Sequence, residues 1–191
     1  MRFSVNVTSQ PTYKPVTLAE CKESLEILES ETRHDFKISN YLDMAISQAE
    51  NFTGQFFAQR TATVNYDLFQ EFIRLPVHPL TSVDSIKYYD SANNLQTLAT
   101  SDYEVDLYAF PPLIRITTFP SVKVRLNAIE INVTAGYPSN NSPVGSDKIP
   151  DAIKKGITFK VYQDFLNRGD EDPRIQEAFE DLLYHYKFTK V

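Results

Sequence analysis

The side chains best suited to proton transfer or metal binding are few and scattered. His34, His78 and His185 fall in three different stretches of the chain, and none belongs to an H-E-x-x-H pair. His34 adjoins Asp35 in a connection between predicted helices. His78 lies between Pro76 and Pro79 and reads as an exposed turn residue; His185 is flanked by Tyr184 and Tyr186 on the last predicted helix. Acid–base or metal chemistry needs several such groups converging on one point, and this spacing does not suggest it. Cys21 is the single cysteine, so neither an internal disulfide nor a zinc site built from thiolates is expected. It sits on the apolar face of a predicted helix, where a thiol behaves as a small hydrophobe. Glu104 and Asp106 share one face of a predicted strand, which ordinary alternation on a wet face explains. The run Asp170-Glu171-Asp172 lacks the ligand spacing of a calcium loop and suits a helix start. No G-x-S-x-G, P-loop or G-x-G-x-x-G occurs. An enzyme is not expected, nor is a metal or a cofactor.

Composition narrows the class further. The chain has 191 residues, 42% of them hydrophobic and 23% charged, enough to build a core in one ordinary domain or two small ones. Its formal net charge is −6, which disfavours a phosphate backbone unless basic residues segregate. The densest basic stretch, Lys148, Lys154, Lys155 and Lys160, is interrupted by Asp151 and flanked by Asp147 and Asp164, and reads as a solvated helix face. Asp164 to Asp181 holds seven acidic residues against Arg168 and Arg174. Residues 1–10 lack a basic flank before an apolar run, so a signal peptide is not expected. No stretch has the apolar length of a bilayer span.

Periodicity divides the chain into three zones. Residues 15–57 read as a helical pair. Thr17 and Glu20 have the spacing of a capping box, with Val16 and Cys21 placed as a hydrophobic staple. Leu18, Cys21, Leu25 and Leu28 then mark one apolar face, and residues 30–34 a connection. Asp35 is expected to cap a longer helix with the stripe Ile38, Tyr41, Leu42, Ala45, Ile46, Ala49 and Phe52, closed by Gly54 in the left-handed conformation. Residues 59–136 change to strand patterning. Short strands are predicted at 61–68, 72–75, 83–89, 95–98, 103–107, 113–117 and 129–133, with a turn at 90–94. Residues 149–188 are helical again: Pro150 opens a helix carrying Ile153, Ile157, Val161 and Phe165, with Tyr162 and Leu166 beside them. Gly169 ends it, and Asp172-Pro173 starts another. The fold class is α+β: an N-terminal helical pair, a central antiparallel sheet closed as a small sandwich or open barrel, and C-terminal helices packing with the N-terminal ones. Together they form a single domain over 1–191.

With 11 Tyr and 13 Phe, the chain holds more aromatics than its core alone suggests. Tyr couples a large apolar area to a polar tip and is suited to interfaces. Phe179, Leu183, Tyr184, Tyr186 and Phe188 place apolar groups on more than one face of the last helix. They are candidates for a partner interface; the other reading folds the helix end onto its own core.

Several segments, in order, resemble the head–tail connector (head-completion adaptor) proteins of tailed bacteriophages. Pro15-Val16-Thr17-Leu18-Ala19-Glu20-Cys21-Lys22 is similar to that family's opening, and Glu50-Asn51-Phe52-Thr53-Gly54 to its second-helix ending. Leu75-Pro76-Val77-His78-Pro79-Leu80-Thr81-Ser82-Val83 resembles its L-P-x-x-P-L-x-S-V segment, and Tyr103-Glu104-Val105-Asp106 its Y-x-V-D. Ala135-Gly136-Tyr137 and Ile149-Pro150-Asp151-Ala152-Ile153-Lys154 look like its steps into the last helices. The end of the penultimate helix, residues 162–169, keeps only the aromatic of the family pattern. The resemblance implies a structural virion protein of the neck, assembled in the host cytoplasm. It implies a ring of about twelve copies under the portal protein, contacting the next connector or tail-completion protein, with DNA passing through unbound. The competing readings are a monomeric β-rich module that binds a ligand or protein through Tyr-rich loops, and a metal-dependent enzyme; the latter lacks any nucleophile–base pair.

Overall fold

The computed structural model describes residues 2–139, 148–167 and 173–188. It contains eight strands and four α-helices, an α+β arrangement gathered into two compact units. One unit is formed by residues 1–12, 58–137 and 189–191, and the other by residues 13–57 and 138–188.

The first unit is β. Its larger sheet has five antiparallel strands in the order β1 (Phe3–Val7), β2 (Arg60–Tyr66), β8 (Ile129–Ala135), β4 (Leu80–Tyr89), β5 (Leu95–Thr97). The second sheet has three, β3 (Phe72–Arg74), β7 (Leu113–Ile116) and β6 (Tyr103–Asp106). Alternation sets the register. Ala62, Val64 and Tyr66 on β2 and Ile129, Ile131, Val133 and Ala135 on β8 all point to the buried face, and a one-residue slip would turn them out. The opposite face carries a hydrogen-bonded polar ladder: the Thr63 hydroxyl donates to Asn132 Oδ1 at 2.7 Å, and Asn132 Nδ2 donates to Ser85 at 2.9 Å. Two register shifts bend β4 along β8. The Tyr66 hydroxyl links the sheets by donating to the Arg74 carbonyl at 2.6 Å.

All seven predicted strands are present, with shifted ends. β1 is an additional edge strand whose partner lies about sixty residues away in sequence. Asp90 forms the predicted turn by accepting the amides of Ala92 and Asn94, each at 2.9 Å.

The second unit is helical: α1 (Leu18–Ser24), α2 (Asp35–Thr53), α3 (Asp151–Leu166) and α4 (Pro173–Leu183), followed by a 3-10 turn, Tyr184–Tyr186. Helices from the two ends of the chain pack together, α2 against α3 and α4, and α1 against α3. The capping box at Thr17 and Glu20 is formed, and the staple residues Val16 and Cys21 are fully buried. Gly54 ends α2 at φ 70°.

Four expectations for this unit need correction. α1 ends at Ser24, and Leu28, expected on its apolar face, is 74% exposed. Glu26 turns left-handed at φ 55°, and the Ile27 amide closes back on the Lys22 carbonyl at 2.9 Å, a Schellman ending without its usual glycine. Asp35 does not cap α2; His34 holds that position without a side-chain hydrogen bond, and the Asp35 carboxylate pairs with the buried Lys22 ammonium at 2.6 Å. Lys160, expected on a solvated basic face, is buried and paired with Asp164 at 2.6 Å. Tyr162 and Leu166, expected with the core stripe of α3, are exposed. Pro173 opens α4 as expected, whereas Gly169, Asp172 and the run 170–172 lie outside the described residues.

Candidate partner interfaces

The groups that suggested chemistry are engaged in holding the fold. Burial pushes the Cys21 thiol up to about 12, which leaves it un-ionised at neutral pH. Burial alone would raise the Glu20 carboxyl, but hydrogen bonds from the Thr17 amide at 2.6 Å and from Lys154 at 3.1 Å outweigh it and hold the group low. Glu104 faces Arg115 at 3.5 Å, and Asp106 accepts the amides of Tyr108 and Ala109, both at 3.0 Å. His78, expected to be exposed, is half-buried with its ring edge-on to Phe110 at 5.0 Å, and burial lowers its pKa. His34 and His185 also lie against aromatic rings, Phe165 and Tyr184. Among the described residues no three His, Cys, Asp or Glu side chains stand close enough to hold a metal ion. No described helix is long and apolar enough to cross a membrane.

The C-terminal residues proposed for a partner divide by burial. Phe179, Leu183 and Phe188 are buried. The chain end is fastened to the end of α2: the Phe188 amide donates to the Thr53 carbonyl at 2.6 Å, and Gln55 Nε2 to the Tyr186 carbonyl at 2.5 Å. Tyr186 is half-buried, and Tyr184 remains 64% exposed beside the exposed Leu182. Among the described residues at this end, Tyr184 and Leu182 are the large apolar side chains left exposed.

A second aromatic surface was not singled out as a site in the sequence. The β6–β7 loop lifts Tyr108 to 92% exposure and Phe110 to 62%. It is held from several sides: Asp106 caps its first turn, His78 backs Phe110, and the Leu75 amide donates to the Pro112 carbonyl at 2.9 Å. Beside it opens a cleft of about 820 Å³ walled by Phe3, Tyr66, Phe72, Phe110 and Leu113, with Glu71 and Arg74 among its polar groups. The exposure of Tyr108 and Phe110 depends on hairpin geometry that composition does not encode.

Charge is unevenly divided. The β unit's segments hold eight Lys or Arg and eight Asp or Glu; the helical unit's hold eleven and seventeen. Counted along the sequence, the whole net charge of −6 falls within segments 13–57 and 138–188.

No family model and no curated protein sequence matches the chain. Solved structures do. A chain in the neck of the empty GTA particle, computed with C6 symmetry, superposes with a TM-score of 0.79 at 17% identity, covering 98% of this chain and 97% of that one. A chain in the virion of the native gene transfer agent (GTA) particle gives 0.77 at 18% identity, covering 98% and 96%. A chain in the neck of the native particle, computed with C12 symmetry, gives 0.74 at 18% identity, covering 98% and 97%. The chain has the fold of a particle-neck protein. Both the β and helical segments take part in that match, since it spans nearly the whole chain. The α+β architecture and the resemblance to neck connectors expected from the sequence agree with this fold.

Proposed function

We propose that the protein is a structural, non-enzymatic component of a phage-like virion, a head–tail connector that forms a ring beneath the portal and joins the DNA-filled head to the tail. The observation that carries this reading is the whole-chain fold match to chains of symmetric particle necks. The ordered sequence segments from residue 15 to 154 support it independently, because they resemble connectors without reference to the fold. Ring closure requires a heterologous interface, two different patches on each subunit. Exposed aromatic side chains occur on both units, among them Tyr108 and Phe110 on the β unit and Phe36 and Tyr184 on the helical one. The portal and the next connector or tail-completion protein are the remaining partners. The acidic helical unit gives passing DNA few phosphate contacts. A monomeric β-rich binding module would need only the β unit and leaves the matched helical unit without a role.

The direct genetic test is removal of this chain from the producing system. Filled heads without tails, together with free tails, are the expected products. Normally joined particles would overturn the reading.

A further inference from the structure

The cleft beside β3 combines an open backbone edge, an apolar wall and an unpaired cation. β3 ends the three-stranded sheet and is bonded on one side only, to β7. The Leu75 amide donates to the Pro112 carbonyl at 2.9 Å and the Ile116 amide to the Glu71 carbonyl at 2.8 Å. In an antiparallel ladder such bonds fall on alternate residues, so 71, 73 and 75 turn their backbone groups toward β7, and Phe72 and Arg74 turn theirs away. The Tyr66 hydroxyl, on the cleft wall, already takes the Arg74 carbonyl. The Phe72 amide and carbonyl and the Arg74 amide are left for a further strand.

The side chains specify what that strand carries. Phe72 and Arg74 are exposed on one face of β3, with Ile73 buried between them. Phe72 and Phe110 supply the apolar wall. Of the two charged groups lining the cleft, Glu71 is shared with Arg115 at 3.8 Å, whereas Arg74 makes no ion pair among the described residues. A strand added to an edge sets its own alternate side chains beside those of the strand it joins. Paired antiparallel, as every strand of this unit is, it meets Arg74 two positions before it meets Phe72.

From edge, wall and charge together, we infer that β3 is a strand-addition site for an extended segment of a protein partner, one that carries Asp or Glu two positions before an apolar residue. The carboxylate pairs with Arg74, and the apolar side chain packs on Phe72 and Phe110. This contact belongs to the β unit alone and stands whether or not the chain closes a ring.

The test follows backbone amides by nuclear magnetic resonance on the isotopically labelled full chain. It is titrated to millimolar concentration with acetyl-Thr-Glu-Thr-Phe-Thr-amide and with the same peptide carrying Lys in place of Glu. The Phe72 and Arg74 amides should shift, and the Glu peptide should bind at least about threefold tighter, the size of one partly exposed ion pair. In Arg74→Glu, with circular dichroism confirming the fold, the preference should reverse to the Lys peptide. Equal binding of both peptides by both proteins, or no shift at Phe72 and Arg74, would overturn the inference. Shifts as large with sodium acetate would assign the site to a small carboxylate instead. Shifts on concentrating the protein without peptide would assign it to a second copy, and either result overturns the inference too. All of these outcomes are independent of the genetic test of the neck reading.

Discussion

Gly136 occupies a position that no other residue fits. Its φ is +109°, and a Cβ added there would lie 2.5 Å from the Ala58 carbonyl oxygen, a backbone atom that cannot step aside. Its amide donates to the Pro79 carbonyl at 2.8 Å, tying the end of the large sheet to the start of β4. Gly136→Ala should therefore destabilise the protein by roughly 2–4 kcal/mol, combining backbone strain with the clash, read as a lower urea midpoint. The glycine was visible in the Ala-Gly-Tyr segment; the atom it meets was not, because Ala58 is far away in sequence. Local chemistry was more legible. Thr17 and Glu20 announce their capping box at a fixed spacing, and the box forms. Its carboxylate also makes a pH prediction. The folded pKa of Glu20 lies below the ordinary 4.5, so its contribution is present above that pH and is lost as pH falls through the lower folded value. The stability gap between the protein and Glu20→Gln, followed by urea unfolding, should be largest near neutrality and close in acid. The Glu26 turn escaped the sequence because a left-handed helix ending is ordinarily marked by glycine or asparagine.

Among the elements, α3 shows most clearly what periodicity can and cannot tell. Its Ile153, Ile157 and Val161 face inward as the four-residue spacing predicts. The helix touches α1, α2 and α4, however, so polar positions are also enclosed. Lys160 and Asp164 are buried as an i,i+4 pair, each side chain under 10% exposed. Removing one partner leaves the other's charge uncompensated, whereas replacing both with apolar residues of similar volume does not. Asp164→Asn should cost about 3 kcal/mol, and Lys160→Met combined with Asp164→Leu should recover most of that loss; urea midpoints of the two variants decide it. Equal destabilisation by both would show that the pair is held for a reason other than charge compensation. β1 illustrates the opposite limit. Five alternating residues make a weak strand signal, and only pairing with β2 fixes them. The longer strands of the same unit were legible because clean alternation and turn residues recur along 59–136.

For the whole molecule, the order of helices, strands and helices was readable from periodicity, and the expected packing of the end helices on each other is present. The division of charge between the units emerges only when segments 13–57 and 138–188 are joined, which no window along the chain does. It carries a consequence for assembly. Like-charged helical units repel less as salt screens them, so self-association should strengthen between about 20 mM and 150 mM salt, with light scattering as the readout; a fall in mass would place the contact on opposite charges instead. Assembly into a neck ring is read from the mass of the particles in solution. Light scattering with negative-stain imaging should be made on the purified protein alone and mixed with the portal of its own particle. A closed ring of about twelve copies, free or seated on the portal, is expected. A strict monomer that ignores the portal would contradict it.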